Sequence, residues 1–187
     1  MKAGAVVLAA GASTRLGQPK QLVTLGGERL LERAVRVARQ AECDPVVVVL
    51  GASAEKILAE CNLALASVVL NPHWSEGLAS SIRRGVETIA GCCDAAILMT
   101  CDQPAVTAAH LRRLIEGSRE APVASSYAGR RGVPACFQAA QFAELVRLSG
   151  EEGARRLLHL APVIELPGGE LDIDTPLTLE AARALYS

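Results

Sequence analysis

Short apolar runs rich in valine and isoleucine recur along the chain, at residues 5–9, 46–50, 67–70, 95–100 and 163–166. Strands that are apolar on both faces belong in a sheet covered on both sides, and such sheets are mainly parallel. Between the runs, apolar residues at helical spacing predict helices, with stripes at Leu30, Leu31, Ala34, Val35 and Ala38, at Ile82, Val86 and Ile89, and at Leu111, Leu114 and Ile115. This alternation predicts an α/β fold, a three-layer α/β/α sandwich around a mainly parallel sheet.

The length of the chain is that of one ordinary domain. A chain of 187 residues buries roughly 70% of its unfolded surface, so that its core needs no covalent staples. No repeat or long linker interrupts the sequence, and we predict a single domain over residues 1–187. Residues 126–132, which include two glycines and two arginines, are predicted to leave the core as an excursion.

Composition argues against several classes of partner. The net charge is −1, with two Phe, two Tyr and one Trp, which leaves neither a basic surface nor stacking platforms for nucleic acid. No apolar segment approaches the ~20 residues of a membrane span, and no export signal is visible. Six cysteines without a C-x-x-C spacing, in a chain this long, predict reduced thiols and a cytoplasmic protein; they are Cys43, Cys61, Cys92, Cys93, Cys101 and Cys136.

The loop after the first apolar run, residues 11–20, is framed by small residues and carries two charges, Arg15 and Lys20. Small residues let backbone N–H groups approach phosphate oxygens, and the two cations add charge-assisted hydrogen bonds. The loop has neither the G-x-x-x-x-G-K-[ST] nor the G-x-G-x-x-G spacing. It therefore predicts a phosphate site of another kind, with Arg15 suited to bidentate contact and Lys20 acting as a point charge.

Asp102 follows the apolar run 95–100, which places a carboxylate near the carboxyl end of a predicted strand, where α/β proteins bind ligands. A carboxylate facing a phosphate loop is typical of a Mg²⁺ site. An aspartate in this position also commonly forms a turn or caps a helix, here one that begins near Thr107. Spacing alone leaves both interpretations open.

Two further polar segments have a structural and a functional interpretation. Ser80 and Ser81 follow Gly77 at the predicted start of a helix, where serine either caps the helix or contacts a ligand. Asp172 and Asp174 would share one face of a strand and would then need a cation or donors between them. Alternatively, Asp174 caps a final helix whose first turn contains Pro176.

Together these segments resemble a known family. The pattern L-x-A-G-x-S-x-R-x-G-x-x-K runs from Leu8 to Lys20, and further motifs lie at residues 76–81, 100–104, 132–134 and 172–176. They resemble the nucleotidyltransferases that attach a nucleotide to molybdopterin, and most of all the molybdenum cofactor cytidylyltransferases. Val133 departs from the pattern, because that family commonly has a histidine before the proline.

The resemblance implies a nucleotide-diphospho-sugar transferase (Rossmann-like) fold and an enzyme that uses Mg²⁺. The expected substrates are an NTP, CTP by resemblance, and the phosphate of a molybdopterin-type cofactor, with pyrophosphate released; a molybdoenzyme apoprotein is a further expected partner. Alternatives are a sugar or alcohol phosphate as acceptor, or a noncatalytic molybdoenzyme maturation factor. The implied catalytic residues are Lys20, Arg15 and Asp102. The implied metal ligands are Asp102 and Asp174, although Asp172 could take the place of Asp174 as the second ligand. The implied nucleotide-binding residues are Leu8, Ala9, Ala10, Gly11, Ser13, Arg15, Lys20, Gly77, Ser80 and Ser81.

Overall fold

The computed structural model describes residues 1–151 and 153–186, and its centre is a seven-stranded sheet. The strands are β1 (Ala3–Ala9), β2 (Thr24–Leu25), β3 (Glu28–Arg29), β4 (Val46–Leu50), β5 (Ser67–Leu70), β6 (Ala95–Thr100), β7 (Val123–Tyr127), β8 (Arg130–Gln138) and β9 (Val163–Glu165). The sheet has the order β5-β4-β1-β6-β8-β7-β9, while β2 and β3 form a separate antiparallel ribbon. Only β8 runs antiparallel to its neighbours β6 and β7, so the predicted mainly parallel sheet is confirmed.

The helices cover both faces of this sheet. They are α1 (Leu30–Gln40), α2 (Ala54–Glu60), α3 (Leu78–Ile89), α4 (Ala108–Gly117), α5 (Phe142–Val146) and α6 (Pro176–Tyr186). Alternate residues of β1 point to opposite faces: Val7 packs in the cluster that contains residues of α1 and α4, and Val6 packs in the cluster that contains residues of α3 and α5. The three-layer sandwich is thus confirmed. Within the described residues, no helix has the length and apolar character needed to cross a membrane.

The predicted excursion at residues 126–132 takes the form of a hairpin tip of the main sheet, in which residues 128–131 are exposed. Tyr127 ends β7 and pairs with Arg130, which begins β8. The two residues between them, Ala128 and Gly129, have φ angles of 47° and 72°, and two consecutive positive φ angles make the tight turn that matches strand twist. The polar residues of this segment do not have the apolar pattern of a strand, because the buried part of β8 lies further along the chain.

The order of the strands creates a crevice at the carboxyl end of the sheet. From β1 the chain adds β4 and then β5 on one side, and β6 then lies on the other side of β1. Ligands of open α/β sheets bind where the strand order reverses in this way. The loop that follows β1 and the turn that follows β6 meet there, because Leu8 and Thr100 are paired in the parallel register.

Candidate active site

A cleft of about 520 Å³ opens at the carboxyl ends of β1 and β6. It combines the loop after β1, the turn after β6 and the start of α3, which are three of the segments that the sequence singles out. Its lining consists of Leu8, Ala10, Gly11, Ala12, Thr14, Lys20, Trp74, Ser75, Gly77, Leu78, Ser81, Thr100, Asp102 and Glu151. The cleft therefore has the position, and a lining that mixes small, apolar and charged residues, that suit a nucleotide site.

One ammonium group joins two carboxylates at this cleft. The Lys20 Nζ lies 2.5 Å from an oxygen of Asp102 and 2.5 Å from an oxygen of Asp174. Lys20 begins a single 3-10 turn, Lys20–Leu22, at the end of the loop after β1. Asp102 lies two residues beyond β6, and Asp174 comes from a segment more than 150 residues from Lys20 in sequence. The fold thus assembles the cluster from three separate segments.

The Lys20 side chain is only 19% exposed, and its charge is balanced by its neighbours. Burial disfavours the ammonium form, but the charge of Asp102 and hydrogen bonds to Asp102 and Asp174 outweigh burial and raise the pKa of Lys20 above its ordinary value. Lys20 is therefore a fixed cation at neutral pH. It is suited to stabilising phosphate charge and unsuited to accepting a proton.

Arg15 reaches the same cluster from the solvent side. Its Nη2 donates to the second oxygen of Asp174 over 2.8 Å, and its side chain is 73% exposed. An exposed ion pair of this kind contributes at most about 1 kcal/mol. The Arg15 guanidinium is therefore only weakly held on Asp174.

Asp172 and Asp174 do not share a strand face, since residues 171–174 form no regular strand. The segment is instead anchored by the Ile173 N–H, which donates to the Asp102 carbonyl over 3.0 Å. Burial, followed by the charges of Asp102 and Asp174, raises the pKa of Asp172 to about 6. Asp174, not Asp172, shares the ammonium of Lys20 with Asp102, which favours Asp174 as the second ligand of the two.

The helix-capping interpretations of both aspartates are wrong. Thr107 caps α4, its side chain accepting from the His110 N–H over 3.2 Å. The Thr175 hydroxyl accepts from the Thr178 N–H over 3.2 Å at the start of α6. Threonine therefore supplies both caps, which leaves the carboxylates of Asp102 and Asp174 for Lys20.

The serines after Gly77 are held by an asparagine that the sequence analysis did not single out. Asn71 follows β5 directly, and its side-chain NH₂ donates to the hydroxyls of Ser80 and Ser81 over 2.9 and 3.0 Å. Gly77, whose φ is 109°, is the N-cap of α3. The two serines therefore lie inside the first turn of the helix, and neither of them is its N-cap. Ser81 lines the cleft, whereas the Ser80 hydroxyl bonds the Gly77 carbonyl over 2.8 Å.

Gln21 is a second residue that the sequence did not indicate, and its side chain holds the loop after β1 from inside. It is 1% exposed, and its Nε2 donates to the Ala9 carbonyl over 2.6 Å and to the Gly11 carbonyl over 3.3 Å. The Ser13 hydroxyl accepts from the Lys20 N–H over 3.2 Å and closes the loop. In the sequence, only its position directly after Lys20 marks Gln21.

The predicted nucleotide-binding residues divide into two groups. Ala9, Ser13, Arg15 and Ser80 are outside the lining of the cleft and support it from behind or from its rim. The residues that line the cleft are Leu8, Ala10, Gly11, Lys20, Gly77 and Ser81. The second group surrounds the space that a bound nucleotide would fill.

Asp102 and Asp174 suit a hard divalent cation. Their oxygens converge on a single point, which Lys20 Nζ occupies, and Mg²⁺ takes one or two protein carboxylates together with substrate phosphates. Within residues 1–151 and 153–186, no group of three or more His, Cys, Asp and Glu side chains could form a metal cage. A metal at this pair would therefore depend on ligands brought by the nucleotide.

Gly11 supplies a test of the cleft that is independent of charge. A Cβ at this position would meet no protein atom within 4 Å, so the space beside the Gly11 backbone is left open by the protein itself. We expect Gly11→Ala to leave the melting temperature unchanged or slightly raised and to weaken nucleoside triphosphate binding at least about tenfold, because the added methyl group would narrow the open space of the cleft.

Calorimetric titration with each of the four nucleoside triphosphates and a thermal melt would check the Gly11 prediction. Gly117→Ala is the matched control. Its Cβ would meet side-chain atoms no closer than 3.6 Å, and Gly117, at the end of α4, does not line the cleft. Equal nucleotide affinity in Gly11→Ala and wild type would show that the nucleotide does not use this space.

Comparison with known proteins agrees with this geometry. Residues 5–166 match the model of the MobA-like NTP transferase domain. The chain is 34% identical to nicotine blue oxidoreductase of Paenarthrobacter nicotinovorans, over 84% of this chain and 81% of that protein. It is 32% identical to the purine catabolism protein PucB of Bacillus subtilis, over 97% and 96%, and 22% identical to the molybdenum cofactor cytidylyltransferase of Escherichia coli, over the same shares.

A solved structure extends the likeness to three dimensions. The crystal structure of Rv0371c of Mycobacterium tuberculosis in complex with manganese is 32% identical, has a TM-score of 0.82, and covers 98% of this chain and 99% of its own. The fold is that of the nucleotide-diphospho-sugar transferases. From the matched family model and the full-length likeness, the chain belongs to the MobA-like NTP transferase family of nucleotidyltransferases.

Proposed function

We propose that this protein transfers a nucleoside monophosphate from CTP to the phosphate of a molybdopterin-type cofactor and releases pyrophosphate. The observation that carries the proposal is the Lys20 ammonium between Asp102 and Asp174, at the point where β1 and β6 end. The name of the Escherichia coli relative supports the acceptor and the base. We further propose that residues 1–187 act as one domain, and that they work in the cytoplasm, where buried thiols such as Cys101 stay reduced.

The reaction is an in-line substitution at the α-phosphorus. An acceptor phosphate oxygen forms a bond to that phosphorus, the bond from phosphorus to the β-bridging oxygen breaks, and pyrophosphate leaves with the electron pair. The attacking oxygen is already anionic at neutral pH, so no general base is required. The task of the protein is then alignment and neutralisation of charge.

The residues of the cleft divide these tasks. Asp102 and Asp174 would hold Mg²⁺, which supplies positive charge to the phosphate oxygens when bound. Lys20 then shifts from the carboxylates to the triphosphate, and Arg15 follows by leaving Asp174. Both cations stabilise the charge that develops on pyrophosphate as it departs.

The base is expected beside the methyl group of Ala10 and the first turn of α3. Ala10 is 5% exposed and lines the cleft together with Ser81. Ser81 accepts from Asn71, which leaves its hydroxyl proton free to meet an acceptor atom on the base edge. This pairing of a filled space and a positioned hydroxyl favours the single ring of cytosine.

One assay separates the proposed function from its alternatives. The protein is incubated with Mg²⁺, with each of CTP, GTP, ATP and UTP, and with molybdopterin cofactor or a panel of sugar and alcohol phosphates, and pyrophosphate is measured. Release with CTP and the pterin cofactor supports the proposal. Release with another phosphate alone indicates a different transferase, and no release with any pair indicates a noncatalytic maturation factor.

Selectivity for the base supplies a further prediction. Ala10→Gly should lower the ratio of kcat/KM for CTP to that for GTP by about tenfold, since one methyl group in a pocket discriminates by about that factor or more. Steady-state kinetics with both nucleotides would measure it. A wild-type preference for GTP, or an unchanged ratio in the variant, would refute this account of base choice.

A further inference from the structure

A second cavity, of about 540 Å³, lies beside the hairpin of β7 and β8. It shares no lining residue with the nucleotide cleft. Six of its lining side chains are polar or charged, namely Tyr127, Arg130, Arg131, Arg155, His159 and Asp172. This second cavity has no role in the reaction as described so far.

The charge of the second cavity is unbalanced. Three guanidinium groups and a single carboxylate, that of Asp172, line the cavity, which leaves two positive charges without a carboxylate. Within residues 1–151 and 153–186, Arg130, Arg131 and Arg155 form no ion pair. Like charges gathered in one concave site repel one another and attract an anion.

Two structural elements position the three arginines of the second cavity. Arg130 and Arg131 begin β8, and Arg155 begins a 3-10 turn, Arg155–Leu158. The Arg131 Nε donates to the Ala161 carbonyl over 3.2 Å, which fixes the side chain and leaves its Nη groups available. A guanidinium held in this way is prepared for bidentate contact with a phosphate.

The second cavity adjoins the reaction centre through one short segment. Asp172 lines this cavity, and Asp174, two residues later, binds Lys20 beside the nucleotide cleft. Between them, Ile173 is hydrogen-bonded to the Asp102 carbonyl. The segment 172–174 therefore connects the second cavity, through Asp172, with the Asp174 carboxylate beside Lys20.

We infer that the second cavity binds the phosphomonoester of the acceptor, and that Arg130, Arg131 and Arg155 are its phosphate contacts. The inference rests on the proposed function, because it assigns the second substrate of that reaction. A phosphate monoester at neutral pH carries close to two negative charges, which matches the net charge of the cavity. The nucleotide cleft, whose two cations are already paired with Asp102 and Asp174, lacks such a surplus.

The first test uses inorganic phosphate and needs no turnover. In an NMR titration without nucleotide, the Nε–Hε signal of Arg131 should shift with phosphate in wild type. The double variant Arg130→Gln/Arg155→Gln should bind phosphate at this signal at least about tenfold more weakly, because two charged contacts are lost. Arg119→Gln, an exposed arginine outside the cavity, is the matched control. Absence of a shift in wild type, or equal shifts in the double variant, would overturn the inference.

The second test separates the inference from the proposed function. With CTP and the pterin cofactor, the double variant should have a KM for the acceptor raised at least about tenfold, and a KM for CTP within twofold of wild type. An unchanged acceptor KM refutes the inference while the proposed function stands. If wild type transfers nothing to the pterin cofactor, the proposed function fails, and the cavity is then no acceptor site even where phosphate binds.

Discussion

Asp102→Asn is expected to lower Mg²⁺-dependent turnover by about 100- to 1000-fold, the loss that follows removal of one preorganised electrostatic group from an active site. Asparagine has nearly the same shape but no charge, so the site loses half of its carboxylate pair for the metal. Lys20 keeps its contact with Asp174. We therefore expect the variant to fold, with a cooperative thermal melt and an unchanged far-UV circular dichroism spectrum.

Asp94→Asn is the matched control for that experiment. Asp94 directly precedes β6, whereas Asp102 follows it, and the Asp94 carboxylate accepts only from the Lys2 N–H over 2.7 Å among the described residues. The same change at the opposite end of the same strand should leave kcat/KM within about twofold of wild type. Activity of Asp102→Asn within threefold of wild type, in a folded protein, would remove Asp102 from the metal site.

Lys20→Ala is expected to weaken CTP binding by about 10- to 150-fold, which corresponds to the 1.5–3 kcal/mol of one charged hydrogen bond. Turnover should fall further, because Lys20 also stabilises departing pyrophosphate. Calorimetry with CTP and Mg²⁺, and steady-state pyrophosphate release, would measure the two effects separately. Lys20→Gln keeps a hydrogen-bond donor without the charge and should bind CTP with intermediate affinity.

Lys56, an exposed lysine of α2, supplies the control for a general loss of positive charge. Lys56→Ala removes the same group from the surface and should leave both measurements unchanged. Removal of Lys20 also leaves Asp102 and Asp174 without their shared cation, so a thermal melt is needed to establish that the variant is folded. Normal CTP affinity and turnover in folded Lys20→Ala would mean that the loop after β1 does not serve the triphosphate.

The parts of the fold that the sequence predicts are those that local pattern determines. Buried parallel strands are apolar on both faces, so the apolar runs at residues 46–50 and 95–100 correctly predict β4 and β6. The position of Lys20 and Asp102 at the cleft follows from the same logic, because polar residues directly after parallel strands gather at one edge. Their contact at 2.5 Å confirms that the two segments meet.

The remainder depends on long-range geometry. The contact of Asp174 with Lys20 cannot be derived from the sequence. The pattern around Asp174 is compatible with a strand or a helix cap, and Lys20 lies more than 150 residues away. Asn71 escaped notice for a similar reason, since its two serine partners are on another element. The hairpin at Ala128 and Gly129 was missed because alanine is unusual at a positive φ.

The shared ammonium of Lys20 has a consequence for the order and strength of ligand binding. Under the proposed function, a divalent cation alone would compete with Lys20 and Arg15, which already neutralise Asp102 and Asp174. A nucleotide alone would have to draw the same cations away from their carboxylates. When both arrive, the triphosphate receives the displaced cations while the metal replaces them, so each ligand relieves the penalty that the other faces. By thermodynamic linkage the two ligands strengthen each other's binding by the same factor, and the resting protein discriminates against a metal or a nucleotide that arrives without its partner.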